Sequence, residues 1–394
     1  MTTLEETVAA QRTASDPRRS AFVAANAGAG KTSVLTNRVA RLLLAGVAPE
    51  RILCITFTKA AAAEMASRLF DMLGKWSLLD DAPLSVELDR IDGGAPRDFN
   101  AARRLFARAL DTPGGLKIQT IHAFCDHVLK RFPLEAGVAP VYAVLTEAEA
   151  KALVEDAFDA VAIADRGPLA RLLSSRGGDD VRKLVVGLVV SRQEINRAPK
   201  AEVFKAALLV RLGVDAALTE DAARQACLDL VAADDIRRAQ RVYRQGMKEA
   251  PKLAEGPMAD FLAATSPEAR LNALKSVLLN QEGEPRKRLG DAQTRALDPS
   301  IDEFLKDRAA ALVEALDVVK AVQARDDTFA LLDAVGAVLA RYAAAKSARA
   351  ALDFDDLIEK TRALLEREDA AWVRYKLDAG VDHILLDEAQ DTSP

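Results

Sequence analysis

A short apolar run, Ala21-Phe22-Val23-Ala24, opens into Ala25-Asn26-Ala27-Gly28-Ala29-Gly30-Lys31-Thr32, and beyond Thr32 the apolar residues recur at helical spacing. Few folds accommodate a strand, a glycine-bearing loop and a helix N-terminus in immediate succession. A parallel α/β sheet does, because it delivers strand ends and helix starts to one edge. The chemistry suits a phosphate. Gly28 and Gly30 let backbone N–H groups wrap an anion, Lys31 adds a point charge, the Thr32 hydroxyl suits Mg²⁺, and the helix dipole favours negative charge. Ala25 stands where this loop pattern usually has its first glycine, which alters only the backbone angle at the loop entry.

A second segment completes that chemistry. His383-Ile384-Leu385-Leu386 is an apolar strand that ends in the adjacent carboxylates Asp387 and Glu388, followed by Ala389-Gln390-Asp391. A parallel sheet lifts both carboxylates to the edge where such sheets bind ligands. Asp387 is placed to hold Mg²⁺, through water, and Glu388 to orient or deprotonate an attacking water. Lys31, Asp387 and Glu388 are therefore expected to meet in space although they stand near opposite ends of the chain.

Between the two segments the pattern divides. Leu35, Val39 and Leu42 lie on one helical face, with Arg38 and Arg41 off it, and Gly46 stops that helix. Ile52 to Phe57 reads as a buried strand feeding an Ala-rich helix from Lys59 to about Leu73. Asp80 to Arg97, rich in Asp, Pro and Gly, reads as a loop or insertion. Leu116 to Thr120 reads as a third strand, with a helix from Ile121 to about Phe132. Thr146 and Glu149 form a capping box. From there to about Arg349 the composition is that of helices, and sheet character returns only at His383. The expectation is a discontinuous α/β domain, residues 1–148 and 350–394, interrupted by a large all-α domain over 149–349.

Bulk properties limit the class. The net charge is −5 over 394 residues, so any nucleic-acid surface must be a local groove. The three cysteines, Cys54, Cys125 and Cys227, have no CxxC spacing and suggest neither a disulfide framework nor a zinc site. The acidic N-terminus and the lack of a long uncharged apolar run argue against a signal peptide or membrane partner, so a reducing cytoplasm is expected.

Five ordered segments resemble superfamily 1 helicases of the UvrD/Rep/RecB kind. They are the phosphate loop; Thr56-Phe57-Thr58-Lys59-Ala60-Ala61-Ala62-Ala63-Glu64-Met65; Gln119-Thr120-Ile121-His122-Ala123-Phe124-Cys125; Leu352-Asp353-Phe354-Asp355-Asp356-Leu357-Ile358; and Asp387-Glu388-Ala389-Gln390-Asp391-Thr392. The resemblance implies a RecA-like P-loop NTPase domain using ATP and Mg²⁺. It implies that Gln11 reads the adenine edge and that Thr56, Thr58, Lys59, Thr120 and His122 contact single-stranded DNA. It also implies that Gln390 couples the γ-phosphate to the DNA groove. Asp353 and Asp356 read as a helix N-cap pair rather than as chemistry.

The stretch from Lys31 to Asp387 is longer than in UvrD- and PcrA-like motors and is similar to the RecB and AddA branch. The opening phrase Ser20 to Thr32 and the stretch Arg41 to Met65 look most like AddA-type motors. The expectation is an N-terminal part of an ATP-dependent 3′-to-5′ DNA helicase of the AddA type, acting on single- and double-stranded DNA ends with an AddB-like partner in double-strand-break repair. On this reading the second motor domain and the nuclease domain are absent, and the chain alone binds nucleotide weakly and unwinds nothing. Two alternatives stay open: a stand-alone UvrD-like helicase, and a non-catalytic DNA-binding protein that keeps a nucleotide site.

Overall fold

A computed structural model describes residues 4–24, 30–92, 94, 98–164, 167–192, 200–247 and 249–389. The chain divides into two compact units, one of Met1–Ala150 with Lys346–Pro394 and the other of Lys151–Ala345.

The first unit is built on a three-stranded parallel sheet, β1 (Ile52–Thr56), β2 (Lys117–Thr120) and β5 (His383–Leu386), in the order β2-β1-β5. Every residue of β1 is buried, as a central parallel strand requires. Thr56 stands in register with Thr120, and Ile55 with Leu386. The β5 register is pinned at both ends. Asp382 N–H donates to the Arg51 carbonyl at 2.8 Å, Arg51 Nη1 donates to the Asp382 carboxylate at 2.8 Å, and Asp387 N–H donates to the Ile55 carbonyl at 2.9 Å. Residues beyond position 380 thereby join a strand that begins near position 50.

Helices α1 (Leu4–Ala14), α2 (Lys31–Leu44), α3 (Lys59–Leu78), α4 (Asp81–Asp92), α5 (Phe99–Leu110) and α6 (Ile121–Arg131) come before the second unit, and α7 (Phe354–Glu366) and α8 (Ala371–Asp378) after it. Val39, Leu42 and Leu43 of α2 share one apolar core with Met65, Leu69, Leu73 and Trp76 of α3, Leu84 and Leu88 of α4, Leu105 of α5 and Leu385 of β5.

Three sequence expectations need correction. Residues 81–92, read as loop, form α4: Leu84, Leu88 and Ile91 recur at helical spacing and are buried, and Pro83 falls in the first turn, where a missing N–H costs nothing. Ala21 to Ala24, read as a strand entering the phosphate loop, joins no ladder among the described residues, and Phe22 is 89% exposed. Sheet structure also returns earlier than His383. A two-stranded parallel sheet pairs β3 (Ala143–Val144) with β4 (Ala351–Leu352). Two-residue strands have no periodicity for a sequence pattern to reveal.

β4 leads into α7 through a buried polar knot. Asp353 accepts from Asp356 N–H at 2.9 Å, and the Asp356 carboxylate accepts from Asp353 N–H at 3.1 Å, a reciprocal capping box. The buried Lys346 ammonium donates to both carboxylates, at 2.8 Å to Asp353, so neither negative charge is left uncompensated. The N-cap reading of this pair is thus the geometry observed.

In the second unit the described elements are helices, apart from one isolated bridge between Leu279 and Pro285. Its core includes Ile236, Tyr243, Phe261, Leu274, Leu305 and Val322. Within it the Tyr243 hydroxyl donates to Asp302 at 2.6 Å, and the buried Arg325 donates to the carbonyls of Asp215 and Leu218. One 18-residue window of the helix Pro299–Ala348 has the length and composition to cross a membrane. The same helix supplies Ile301, Leu305, Ala309 and Leu312 to this core.

Candidate nucleotide site

Parallel strands end together, so the residues after β1, β2 and β5 share one edge of the sheet. Gly30 ends the loop with φ +85°, a left-handed conformation that L side chains rarely adopt, and α2 starts at Lys31. The Lys31 Nζ lies 3.9 Å from the Glu388 Oε2. The two ends of the sequence thus meet at one point.

Around that point lies a cavity of about 800 Å³. Lys31, Val34, Leu35 and Arg38 supply one wall, at the i, i+3, i+4, i+7 spacing of a single helical face; Ser20 to Ala24 and Ile384 to Ala389 supply the rest. The volume is that of a small-molecule site, with one ammonium and two carboxylates converging in it.

The electrostatics of the acidic pair are unfavourable without a ligand. Partial burial raises the Asp387 carboxyl above its ordinary range, and the adjacent Glu388 charge pushes the same way. The Glu388 N–H, donating to Asp387 at 3.1 Å, and the Lys31 ammonium oppose the shift. Glu388 has φ +51°, in the left-handed region that favours glycine. Such strain is held only where the surroundings over-determine it, and it concentrates at sites of chemistry. A divalent cation fits this donor set, since it would relieve both the desolvated charge and the carboxylate repulsion. Among the described residues no cluster of three or more His, Cys, Asp or Glu could hold a metal ion by itself, so a cation here would share its shell with a ligand or water.

Gln11 lies in the last turn of α1, and a Cβ built on Gly30 would sit 3.1 Å from its Nε2. The side-chain amide is therefore pressed against the end of the phosphate loop. Two arginines of α2, Arg38 and Arg41, tie down the end of α1 that carries Gln11. Arg38 donates to the carbonyls of Ala14 at 3.1 Å, Asp16 at 2.8 Å and Arg19 at 2.5 Å. Arg41 donates to the Arg12 carbonyl at 2.7 Å and the Ser15 hydroxyl at 2.9 Å. Arg18 pairs with the Asp16 carboxylate at 2.9 Å and holds it well below the usual carboxylate range. The one sequence signal for this clamp was the Arg38/Arg41 spacing, i and i+3 on the polar side of α2.

The residues assigned to DNA divide into two groups. Thr56 is buried and its hydroxyl donates to the Thr58 carbonyl at 3.0 Å. Thr58 and Thr120 are helix N-caps, accepting from Ala61 N–H at 3.1 Å and Ala123 N–H at 3.2 Å. Lys59, the first residue of α3, is exposed. His122 is half-buried, its ring 4.9 Å from that of Phe354, and desolvation lowers its pKa against the opposing Asp355 and Glu147 charges. Lys59 and the rim of His122 are open to a ligand, whereas Thr56 and Thr120 shape the edge from beneath. Thr32 follows Lys31 in α2, and its carbonyl accepts from Thr36 at 2.9 Å. Ala25, Asn26, Ala27, Gly28, Ala29 and Gln390 lie outside the described residues.

Comparison with known sequences bears on the whole chain. The sequence profile of the UvrD/REP helicase N-terminal domain matches residues 7–394. An ATP-dependent helicase/nuclease subunit of Ligilactobacillus salivarius is 27% identical over 427 residues, covering 98% of this chain and 32% of that protein. Its namesake from Geobacillus kaustophilus is 28% identical over 426 residues, 95% of this chain and 32% of its own length. The namesake from Enterococcus faecalis is 36% identical over a shorter stretch of 141 residues, 36% of this chain and 10% of its own. The chain spans about a third of the length of the first two relatives.

Proposed function

The chain belongs to the UvrD/REP helicase N-terminal domain family, and from that premise we propose that it is the ATP-binding motor portion of a DNA helicase of the AddA type. The observation that carries this reading is the meeting of Lys31 with Glu388, 3.9 Å apart across a nucleotide-sized cavity. Lys31 and Glu388 neutralise one another until a triphosphate competes for the ammonium. Lys31 then binds the β- and γ-phosphates, Thr32 and Asp387 serve the metal, and Glu388, released from Lys31, orients and deprotonates the attacking water. Mg²⁺, when bound, supplies charge neutralisation of the phosphates. Gln390 is assigned to sensing the γ-phosphate. The amide of Gln11 offers both a donor and an acceptor, matching the N7 and N6–H of adenine.

Single-stranded DNA is assigned to the edge that carries Thr58, Lys59 and His122, with Thr56 and Thr120 supporting it; contacts there would be chiefly to phosphates and blind to sequence. The second unit is read as a helical domain inserted into a RecA-like motor domain. The relatives are described as subunits of ATP-dependent helicase/nucleases, which supports a helicase working with a partner subunit; an AddB-like partner, double-strand-break repair and 3′-to-5′ translocation are what the resemblance to AddA-type motors implies.

Calorimetric titration of the purified chain with MgATP tests the site. Binding is expected in the parent, retained in Glu388→Gln and weakened by roughly ten- to a hundredfold in Lys31→Ala, the worth of a charge-assisted hydrogen bond to phosphate. In the complete motor, Glu388→Gln should abolish DNA-stimulated hydrolysis. A Lys31→Ala chain that binds MgATP as the parent does would overturn the reading.

A further inference from the structure

The clamp on α1 has more contacts than helix packing requires. An eleven-residue helix leaves its last carbonyls without intrahelical donors. Here those of Arg12 and Ala14, with Asp16 and Arg19 beyond the helix end, are taken by two guanidiniums from one neighbouring helix. That neighbour is α2, whose first residue is Lys31 and whose Arg38 lines the same cavity. Gln11 sits just before the clamped carbonyls, with its amide against Gly30. The Arg12 side chain also donates to the Arg90 carbonyl at 3.2 Å, and Arg41 reaches the Ile91 carbonyl at 3.4 Å, so the end of α4 joins the same junction.

We propose that Arg38 and Arg41 are positioning residues for nucleobase selection. By gripping the C-terminal carbonyls of α1 from the helix that carries Lys31, they fix the separation between the base read by Gln11 and the phosphates held by Lys31. The proposal rests on the nucleotide-site reading above. An amide discriminates adenine from guanine only if held in register: adenine offers a donor at N6 where guanine offers an acceptor at O6. A guanidinium fork is pre-organised for several carbonyls at once, whereas an ammonium on a flexible stem is not. The clamp therefore acts on the difference between bases and leaves the phosphate end to Lys31.

The test compares Arg38→Met, Arg41→Met and Arg38→Lys in this chain, with Gln11→Ala as the reference and Arg68→Met, which removes a surface ion pair on α3, as the control. Methionine keeps the apolar stem and removes the donors. Binding is measured for MgATP, MgGTP and magnesium tripolyphosphate. The expected result is a roughly five- to tenfold fall in the ATP-over-GTP preference, the worth of about one hydrogen bond, with tripolyphosphate affinity unchanged in Arg41→Met and falling by less than ATP affinity in Arg38→Met, because Arg38 also lines the cavity. Arg38→Lys should fall between Arg38→Met and the parent. Arg38→Met should cost no further preference in a Gln11→Ala background, because the two act through one contact.

Hydrogen exchange without nucleotide supplies a second readout: amides of residues 11–16 should lose protection in Arg38→Met and keep it in Arg68→Met. An unchanged base preference, a tripolyphosphate affinity that drops as far as that for ATP, or unchanged protection over residues 11–16 overturns the positioning role alone. A parent chain that binds ATP and GTP equally overturns it together with the role of Gln11, and a parent that binds no nucleotide overturns the site reading itself.

Discussion

Asp387 shows how far a single residue can be read from sequence and what only the fold adds. Its place after an apolar strand gives the expectation of a metal-side carboxylate, but its energetic state depends on burial and on Glu388, which a linear sequence does not display. Because its carboxyl pKa is raised in the folded chain, folding favours the protonated form. The stability it contributes is full below its ordinary value of 3.8 and is lost as pH rises through the raised value. At neutral pH the ionised carboxylate therefore costs stability until a cation or nucleotide complex compensates it. Asp387→Asn should melt at a higher temperature than the parent at pH 7 without metal, and the gap should close as pH falls through the carboxylate range. Thermal melts with added MgATP should reverse the order, since only the parent gains from the ligand. Equal melting temperatures at pH 7 and at low pH would show that the site stores no such cost.

At the scale of elements, the segments with strong periodicity were legible and the punctuated ones were not. Val39, Leu42, Met65, Leu69 and Leu73 declare α2 and α3 in the sequence, and all of them are buried in the common core. Residues 81–92 read as loop because Asp, Pro and Gly recur over 80–97, although Asp and Pro are equally at home in a helix's first turn. The apolar triplet Leu84, Leu88 and Ile91 outweighs that signal once α3 and α5 provide a surface to bury it against. Ala21 to Ala24 is the opposite case, with strand composition but no ladder among the described residues. If the buried face is what makes α4 a helix, Leu88→Ala should destabilise the unit by about 3 kcal/mol, the usual cost of a leucine-sized core cavity. Val86→Ala, an exposed position on the same helix, should change stability by less than about 0.5 kcal/mol. Urea denaturation of both variants measures this, and similar costs for the two would mean that α4 is not held by its apolar face.

For the whole molecule, the composition change near residue 149 gives the expectation of a discontinuous domain, but not how the chain closes between residues 143 and 352. The closure is local and inside the first unit. Ala143 N–H donates to the Ala350 carbonyl at 2.9 Å and Leu145 N–H to the Leu352 carbonyl at 2.8 Å, so the outgoing and returning strands are hydrogen-bonded neighbours. The buried triad of Lys346, Asp353 and Asp356 and the docking of Phe354 on His122 fix the returning strand and the start of α7 at that junction. One apolar cluster of the second unit, from Val214 to Val322, holds residues of that unit alone. A chain whose exit and re-entry points are already paired loses little loop-closure entropy when the excursion between them is shortened. Replacing residues 151–345 with a short Gly/Ser linker should therefore leave a folded first unit that melts cooperatively and binds MgATP within about threefold of the parent affinity, while Lys31→Ala in that background weakens binding as it does in the intact chain. Residues 151–345 alone should remain helical by circular dichroism. If the shortened chain fails to fold while the intact chain unfolds in a single calorimetric transition, the two units depend on each other for stability, and the strand pair at 143–144 and 351–352 is too weak a closure to define the first unit alone.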